Sequence, residues 1–231
     1  MGDAEQIIPG VYLVAGPNIS YAEDATSFVI EFGDQLVMID SGLGRSVPVI
    51  LDNIRFVGLN PQQISTLILT HCHIDHIGGA REIKEQTGCR IAIHELDADA
   101  VETGDSSKTA AGWYGRRLSP VSVDIRLSGD RESLTFGRET LHCVHTPGHT
   151  PGSISLYLDR GGLRVLFGQD IHGPFHPAFG SNVAMWGQSM QKLLDLEADI
   201  LCEGHFGIFR PKDMVKKYIL RYLRDYEVIP S

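Results

Sequence analysis

The feature that most limits how this chain can fold is the run at 66–79, TLILTHCHIDHIGG. Its first five residues form a continuous apolar stretch of strand length, the pattern of a strand buried on both faces. His71, His73, Asp75 and His76 follow at once. At H-x-H spacing in extended chain, both imidazoles leave the backbone on one side and can hold one metal ion. Asp75 and His76 are adjacent, so they converge poorly on that ion and are better placed for a neighbouring one. Gly78 and Gly79 are expected to let the chain turn sharply into a helix.

The remaining pattern sets the architecture. Short β-rich runs, VYLV, SFVIEF and QLVMID, dominate the first forty residues, and Gly33-Asp34 reads as a hairpin turn. Further strands are expected at 66–70, 90–94, 139–145, 153–158 and 163–168, near 122–127, and in DILCEGH. Helices are expected at 47–57, 80–86 and 186–197, in ELDADAVET, and in PKDMVKKYILRYLRDY with proline at its start. Residues 104–120 read as a loop or broken helix that could wall a pocket. Strands alternating with helices, with hairpins at both ends, predict an α/β fold of two mixed β-sheets flanked by helices. A length of 231 residues suits one such domain, 1–231.

The formal net charge of -9 argues against nucleic acid as a partner, because proteins that grip phosphate backbones carry a basic face. Cys72, Cys89, Cys143 and Cys202 form no C-x-x-C pair, which fits a reduced, cytoplasmic setting. The opening MGDAEQIIPGVY lacks the basic and apolar regions of a secretory signal, and no run approaches a membrane span. Serine chemistry has little support: there is no G-x-S-x-G elbow, and the Ser189/Lys192 spacing lacks its companion motifs.

Four residues cannot close two metal sites, so distant ligands are expected. Each candidate lies at or past the end of a strand-like run: His149 in HTPGHTPGS, Asp170 in FGQDIHG and His205 in CEGHFG. Asp170 has two oxygens and could bridge two ions. Mixed imidazole and carboxylate ligation favours zinc, while iron and manganese tolerate it. His172, Phe175 and His176, in the loop after Asp170, are candidates for a substrate pocket, with solvent-facing positions the alternative for the two histidines. Trp186 is a candidate for the pocket wall or the core.

At these motifs the chain resembles the metallo-β-lactamase superfamily. The resemblance runs from MIDSG at 38–42 through THCHIDHIGG, TPGHTPGS and the Asp170 loop to GHFG, in family order. It implies an αβ/βα four-layer sandwich with two divalent metal ions at one edge. His71, His73 and His149 would bind the first ion, and Asp75, His76 and His205 the second. Asp170 would bridge the two, and Asp40 would orient ligands by hydrogen bonds. The implied activity is attack of a metal-bridging hydroxide on the carbonyl of a small thioester, ester or lactone, with Asp75 and Asp170 in catalytic roles. The glyoxalase II-like and lactonase-like branches stand nearest. The alternative is a mononuclear iron oxygenase of the persulfide dioxygenase type. A homodimer is a family-level expectation. One departure stands out: Gln169 occupies the place where the family usually has glycine.

Overall fold

The computed structural model describes residues 4–228. The first sheet is built in chain order: β1 (Glu5–Ile8), β2 (Val11–Ala15), β3 (Ser27–Phe32) and β4 (Gln35–Ile39), then, after helix α1 (Val47–Phe56), β5 (Ile64–Ile68). Two short helices, α2 (Ile74–Ile77) and α3 (Ala80–Thr87), lead to β6 (Arg90–His94), α4 (Glu95–Thr103) and β7 (Ile125–Leu127). The strands lie side by side in that order, antiparallel from β1 to β4 and parallel from β4 to β7. The second sheet comprises β8 (Arg131–Phe136), β9 (Glu139–His145), β10 (Ile154–Arg160), β11 (Leu163–Gln169), β12 (Ile200–Glu203) and β13 (Gly207–Phe209), in the reverse spatial order. Helix α5 (Val183–Asp195) crosses between β11 and β12, which pair in parallel, and α6 (Lys212–Asp225) closes the chain.

Side-chain alternation explains the layering. On β3 and β4, Phe28, Ile30, Val37 and Ile39 point into an apolar layer shared with Leu156, Val165, Phe167 and Cys202 of the other sheet. Their alternates, Val29, Leu36 and Met38, pack with Ile50 and Ile54 of α1 and Ile83 of α3. Leu166 and Leu201 face the opposite way, onto Trp186, Met190 and Ile219 of α5 and α6. Strands buried on both faces have to read as continuous apolar runs. The result is the expected four-layer sandwich of two mixed sheets between helices.

The topology fixes where chemistry can sit. Parallel strands end at the same sheet edge, so loops leaving β4, β5, β11 and β12 are brought together. Asp40, His71, Asp170 and His205 occupy those loops, and His149 stands between β9 and β10.

Four strands or α-helices escape the sequence reading, among them β13, only three residues long. β1 is four residues long, β8 alternates exposed and half-buried residues with charges at its start, and α2 is a single turn among the histidines. Gly78 and Gly79 also act differently from expectation. Both have helical φ, -57° and -86°. A Cβ at Gly78 would lie 2.3 Å from the Leu43 carbonyl oxygen, and one at Gly79 2.4 Å from that of Ser41. The pair does sit at the turn into α3, but what requires glycine there is close backbone approach rather than a positive φ.

Candidate metal centre

The seven expected ligands converge. Ligand atoms of His71, His73, His149 and Asp170 lie within 4.8 Å of one another, as do those of Asp75, His76 and His205. Asp170 faces both groups. Its Oδ2 is 3.4 Å from His149 Nε2 and 4.0 Å from His71 Nε2. Its Oδ1 is 3.0 Å from His76 Nε2 and 3.3 Å from His205 Nε2. Asp75 Oδ2 lies 3.3 Å from His205 Nε2. All are buried except His205, which is partly open to solvent.

Hydrogen bonds aim the rings. Asp40 sits just past β4 with φ at 56°, a left-handed conformation that aspartate tolerates. Its Oδ1 accepts the Thr70 N–H (2.8 Å), and its Oδ2 accepts the Thr70 hydroxyl and His76 Nδ1–H, both at 2.7 Å. That leaves His76 Nε2 facing the cluster. Thr70 Oγ1 in turn lies 3.1 Å from His71 Nδ1, so His71 Nε2 points inward. His149 donates through Nδ1 to the Pro174 carbonyl at 2.9 Å, which turns its Nε2 to within 2.8 Å of His73 Nδ1.

This donor set fits a cation. His71 Nε2, which points into the cluster, is buried and has no hydrogen-bond partner among the described residues. Orphaned buried nitrogens are costly unless something binds them. The electrostatics divide the site in two. Burial above all lowers the pKa of His71 well below its ordinary value, that of His73 to about 4 and that of His149 to about 3. These rings are neutral, the form that ligates a metal. Burial also opposes charge on His76 and His205, but the carboxylates outweigh it. Asp170, Asp40 and Asp75 raise His76 well above the usual range, and Asp170 and Asp75 raise His205 to about 10. Burial pushes Asp75 and Asp170 up, yet the facing histidines hold Asp75 at about 2 and Asp170 well below its ordinary value. In this half, protons sit where a divalent ion would replace them.

Gln169 adopts φ of 48°, in the left-handed region where glycine carries no Cβ strain. That accounts for the glycine the resemblance leads one to expect. Gln169 holds the conformation by accepting the Asp170 N–H with its own Oε1 at 2.7 Å, and Asp170 remains aimed at the cluster. Glycine is required at 204 instead, where a Cβ would lie 2.4 Å from Asp170 Oδ1. Gly204→Ala is expected to push that carboxylate aside and cost about 1–3 kcal/mol of stability. Metal titration of the folded variant should show weaker binding, and unchanged affinity would refute the packing argument.

The cleft over the cluster has a volume of about 480 Å³ and is lined by His73, Asp75, Trp113, Tyr114, His172 and Phe206 among others. His172 is therefore in the pocket, its Nδ1 3.0 Å from the buried Glu203 carboxylate. The other pocket candidates are not. Trp186, on α5, is fully buried in the apolar layer shared with the second sheet and α6, its indole N–H donating to the Ile171 carbonyl at 3.1 Å. Phe175 packs edge-on against Trp186 and Tyr226, because its neighbour Pro174 turns the backbone toward His149. His176 is exposed, stacks edge-on to Trp113 and caps the short helix at Pro177–Phe179. The broken segment at 104–120 does wall the pocket, through Trp113 and Tyr114. Burial raises the Tyr114 pKa, and Asp75 raises it further, so its phenol stays protonated.

Among the residues missed from sequence, two shape the ligand loops. Glu203 accepts the backbone N–H groups of His205 and Phe206 at 2.7 and 2.8 Å and so shapes the last ligand loop. Asp97, on α4, accepts the N–H of Cys72 (3.0 Å), the N–H of Gly152 (2.7 Å) and the hydroxyl of Thr150 (2.6 Å). It thereby ties the backbone between His71 and His73 to the loop that carries His149. An acidic residue in a helix gives no sequence signal of that role.

A four-layer sandwich whose strand-end edge gathers seven histidine and aspartate side chains with their ligand atoms this close together defines a metal-site architecture. A model of the metallo-beta-lactamase superfamily matches residues 21–205, and the chain belongs to that superfamily. It is 32% identical over 200 residues to a probable metallo-hydrolase, YflN, of Bacillus subtilis, covering 73% of this chain and 74% of that one. It is 29% identical over 214 residues to an acyl-coenzyme A thioesterase, MBLAC2, of Gallus gallus, covering 80% and 73%. A metallo-beta-lactamase of Cronobacter sakazakii superimposes with a TM-score of 0.84 over 98% of this chain and 93% of that one at 23% identity, a likeness of fold alone. Among the described residues no helix is long and apolar enough to cross a membrane.

Proposed function

We propose that the chain is a binuclear metal-dependent hydrolase, with zinc as the expected metal, acting on the carbonyl of a small-molecule acyl thioester. The observation that carries the binuclear reading is Asp170, whose two oxygens face two separate sets of imidazole nitrogens. His71, His73 and His149 would hold one ion, Asp75, His76 and His205 the other. When bound, the two ions would supply Lewis acidity and bring the pKa of a water down to about 7, so that hydroxide is available as nucleophile.

The chain's own residues do the rest. Asp40, Thr70 and the Pro174 carbonyl fix the imidazole orientations, so the ligand set needs little reorganisation. Asp75, facing the cleft, accepts a proton as the tetrahedral centre collapses. The protonated phenol of Tyr114 lines the same cleft and can donate to the carbonyl oxygen. Trp113, Phe179 and Phe206 offer an apolar wall for an acyl group. The thioester is favoured over a lactone by the acyl-coenzyme A thioesterase among the relatives.

The deciding experiment is metal content per chain in protein purified without added metal, followed by a thioester and lactone screen. About two zinc ions per chain with thioester turnover is the expected result. A single iron per chain, with oxygen consumed in the presence of a persulfide, would replace this reading with the mononuclear oxygenase.

A further inference from the structure

A second cleft of about 450 Å³ lies beside the metal cleft, and its charge runs against that of the molecule. The chain carries a formal net charge of -9, yet this cleft is lined by Arg45, Arg81, Arg116 and Arg117, with only Glu82 and Glu85 as acids. The four guanidinium groups come from three places in the fold: the loop between β4 and α1, helix α3, and the turn after Tyr114. Arg81 pairs with Glu85 at 2.8 Å. Arg45 is held at the rim by Glu23 and by the Tyr21 ring, whose centroid is 4.4 Å away. Arg116 and Arg117 form no ion pair among the described residues, and both are exposed. Two uncompensated guanidinium groups beside two that are already held in position suit a ligand carrying several phosphate oxygens.

The two clefts share a wall. Ile74 lines the arginine cleft, and the next residue, Asp75, lines the metal cleft. Trp113 and Tyr114 line the metal cleft, and Arg116 and Arg117, two residues further on, line the other. Gly115, at φ 60°, makes the turn between them. A molecule with its anionic end among the arginines would have to pass over this turn to place a carbonyl over the ligand cluster.

We propose that the arginine cleft binds the phosphate groups of the substrate's carrier, so that the substrate is a thioester of a phosphorylated nucleotide carrier, such as an acyl-coenzyme A. This rests on the thioester reading above and names the carrier that reading leaves open. A thioester lacking phosphates would meet the same metal cleft without the anchoring charge. Because the contacts are electrostatic and solvent-exposed, the preference should weaken as salt is added.

The test compares two thioesters with one acyl group, acyl-coenzyme A and S-acyl-N-acetylcysteamine, on the wild type and on the Arg116→Ala/Arg117→Ala double variant. Equilibrium binding of free coenzyme A, pantetheine and inorganic pyrophosphate is measured alongside. The expected result is a wild-type preference for the coenzyme A thioester in kcat/KM that shrinks roughly tenfold in the double variant, with coenzyme A affinity falling in parallel. Equal affinity of the wild type for coenzyme A and pantetheine, or an unchanged preference in the double variant, would overturn the assignment. So would pyrophosphate that binds as tightly as coenzyme A without competing against thioester turnover. Failure of the wild type to hydrolyse either thioester would sink the thioesterase reading instead, and the binding comparison would still report on the cleft.

Discussion

Asp170→Asn is expected to lower hydrolysis by roughly three orders of magnitude and to leave the protein with less than its full complement of metal. The substitution keeps the shape of the side chain and removes its charge. Asp170 presents one oxygen to His71 and His149 and the other to His76 and His205. An amide has a single acceptor oxygen, so one of the two groups loses its anionic partner whichever way the amide is turned. The opposing NH₂ would also be driven toward imidazole nitrogens that a cation should occupy. Elemental analysis and turnover measured on the same preparation separate the outcomes, with circular dichroism confirming the fold. Full activity with full metal content would show that Asp170 does not bridge.

How much of this was legible beforehand follows physical lines. Residues 66–76 could be read because a doubly buried strand has to be apolar, and the ligands begin where it stops. Asp170 and His205 could be read because parallel strands deliver their ends to one edge. The same reasoning could not place Trp186. At the start of a helix, an aromatic facing the cleft and one facing the sheet have identical local sequence, and burial is decided by α6 packing from the far side. The glycines were misread for a related reason. Gly78 and Gly79 are demanded by the backbone of residues 41–43, which no local pattern reveals. Gly148 has φ at 137° and leaves no space for a Cβ, which would sit 2.4 Å from the Trp186 backbone. The Gly/Pro bracket around His149 was thus recognisable as irregular, while the helix pressed against it was not. β8 was missed because its charged, half-exposed alternation resembles a loop until its partner β9 is known.

The largest effect expected away from the ligands belongs to Asp97, because its three bonds join two ligand-bearing segments that are far apart in sequence. Asp97→Ala would leave the Cys72 and Gly152 N–H groups buried without an acceptor, while the Thr150 hydroxyl would be left with Ser153 Oγ, 2.8 Å away, as its acceptor. Each unsatisfied donor costs about 1–3 kcal/mol, and neighbouring losses are not additive, so a total near 3–5 kcal/mol is expected. For a chain of this size that corresponds to a fall in Tm of roughly 6–20 °C. Stability alone would not distinguish a positioning residue from any buried acid, so metal affinity has to be read well below the transition. The backbone at Cys72 sets how His71 and His73 diverge, and the loop at 150–152 sets where His149 sits. Loosening both should weaken binding roughly tenfold in protein that is still folded. Asp97→Asn provides the second arm. It fills the same volume, but its NH₂ must face either the Gly152 N–H or the Cys72 N–H and Thr150 hydroxyl. It should therefore fall between the wild type and the alanine variant in both readouts. An alanine variant that loses stability yet binds metal with wild-type affinity would reduce Asp97 to a structural residue and leave the ligand geometry to the strand ends alone.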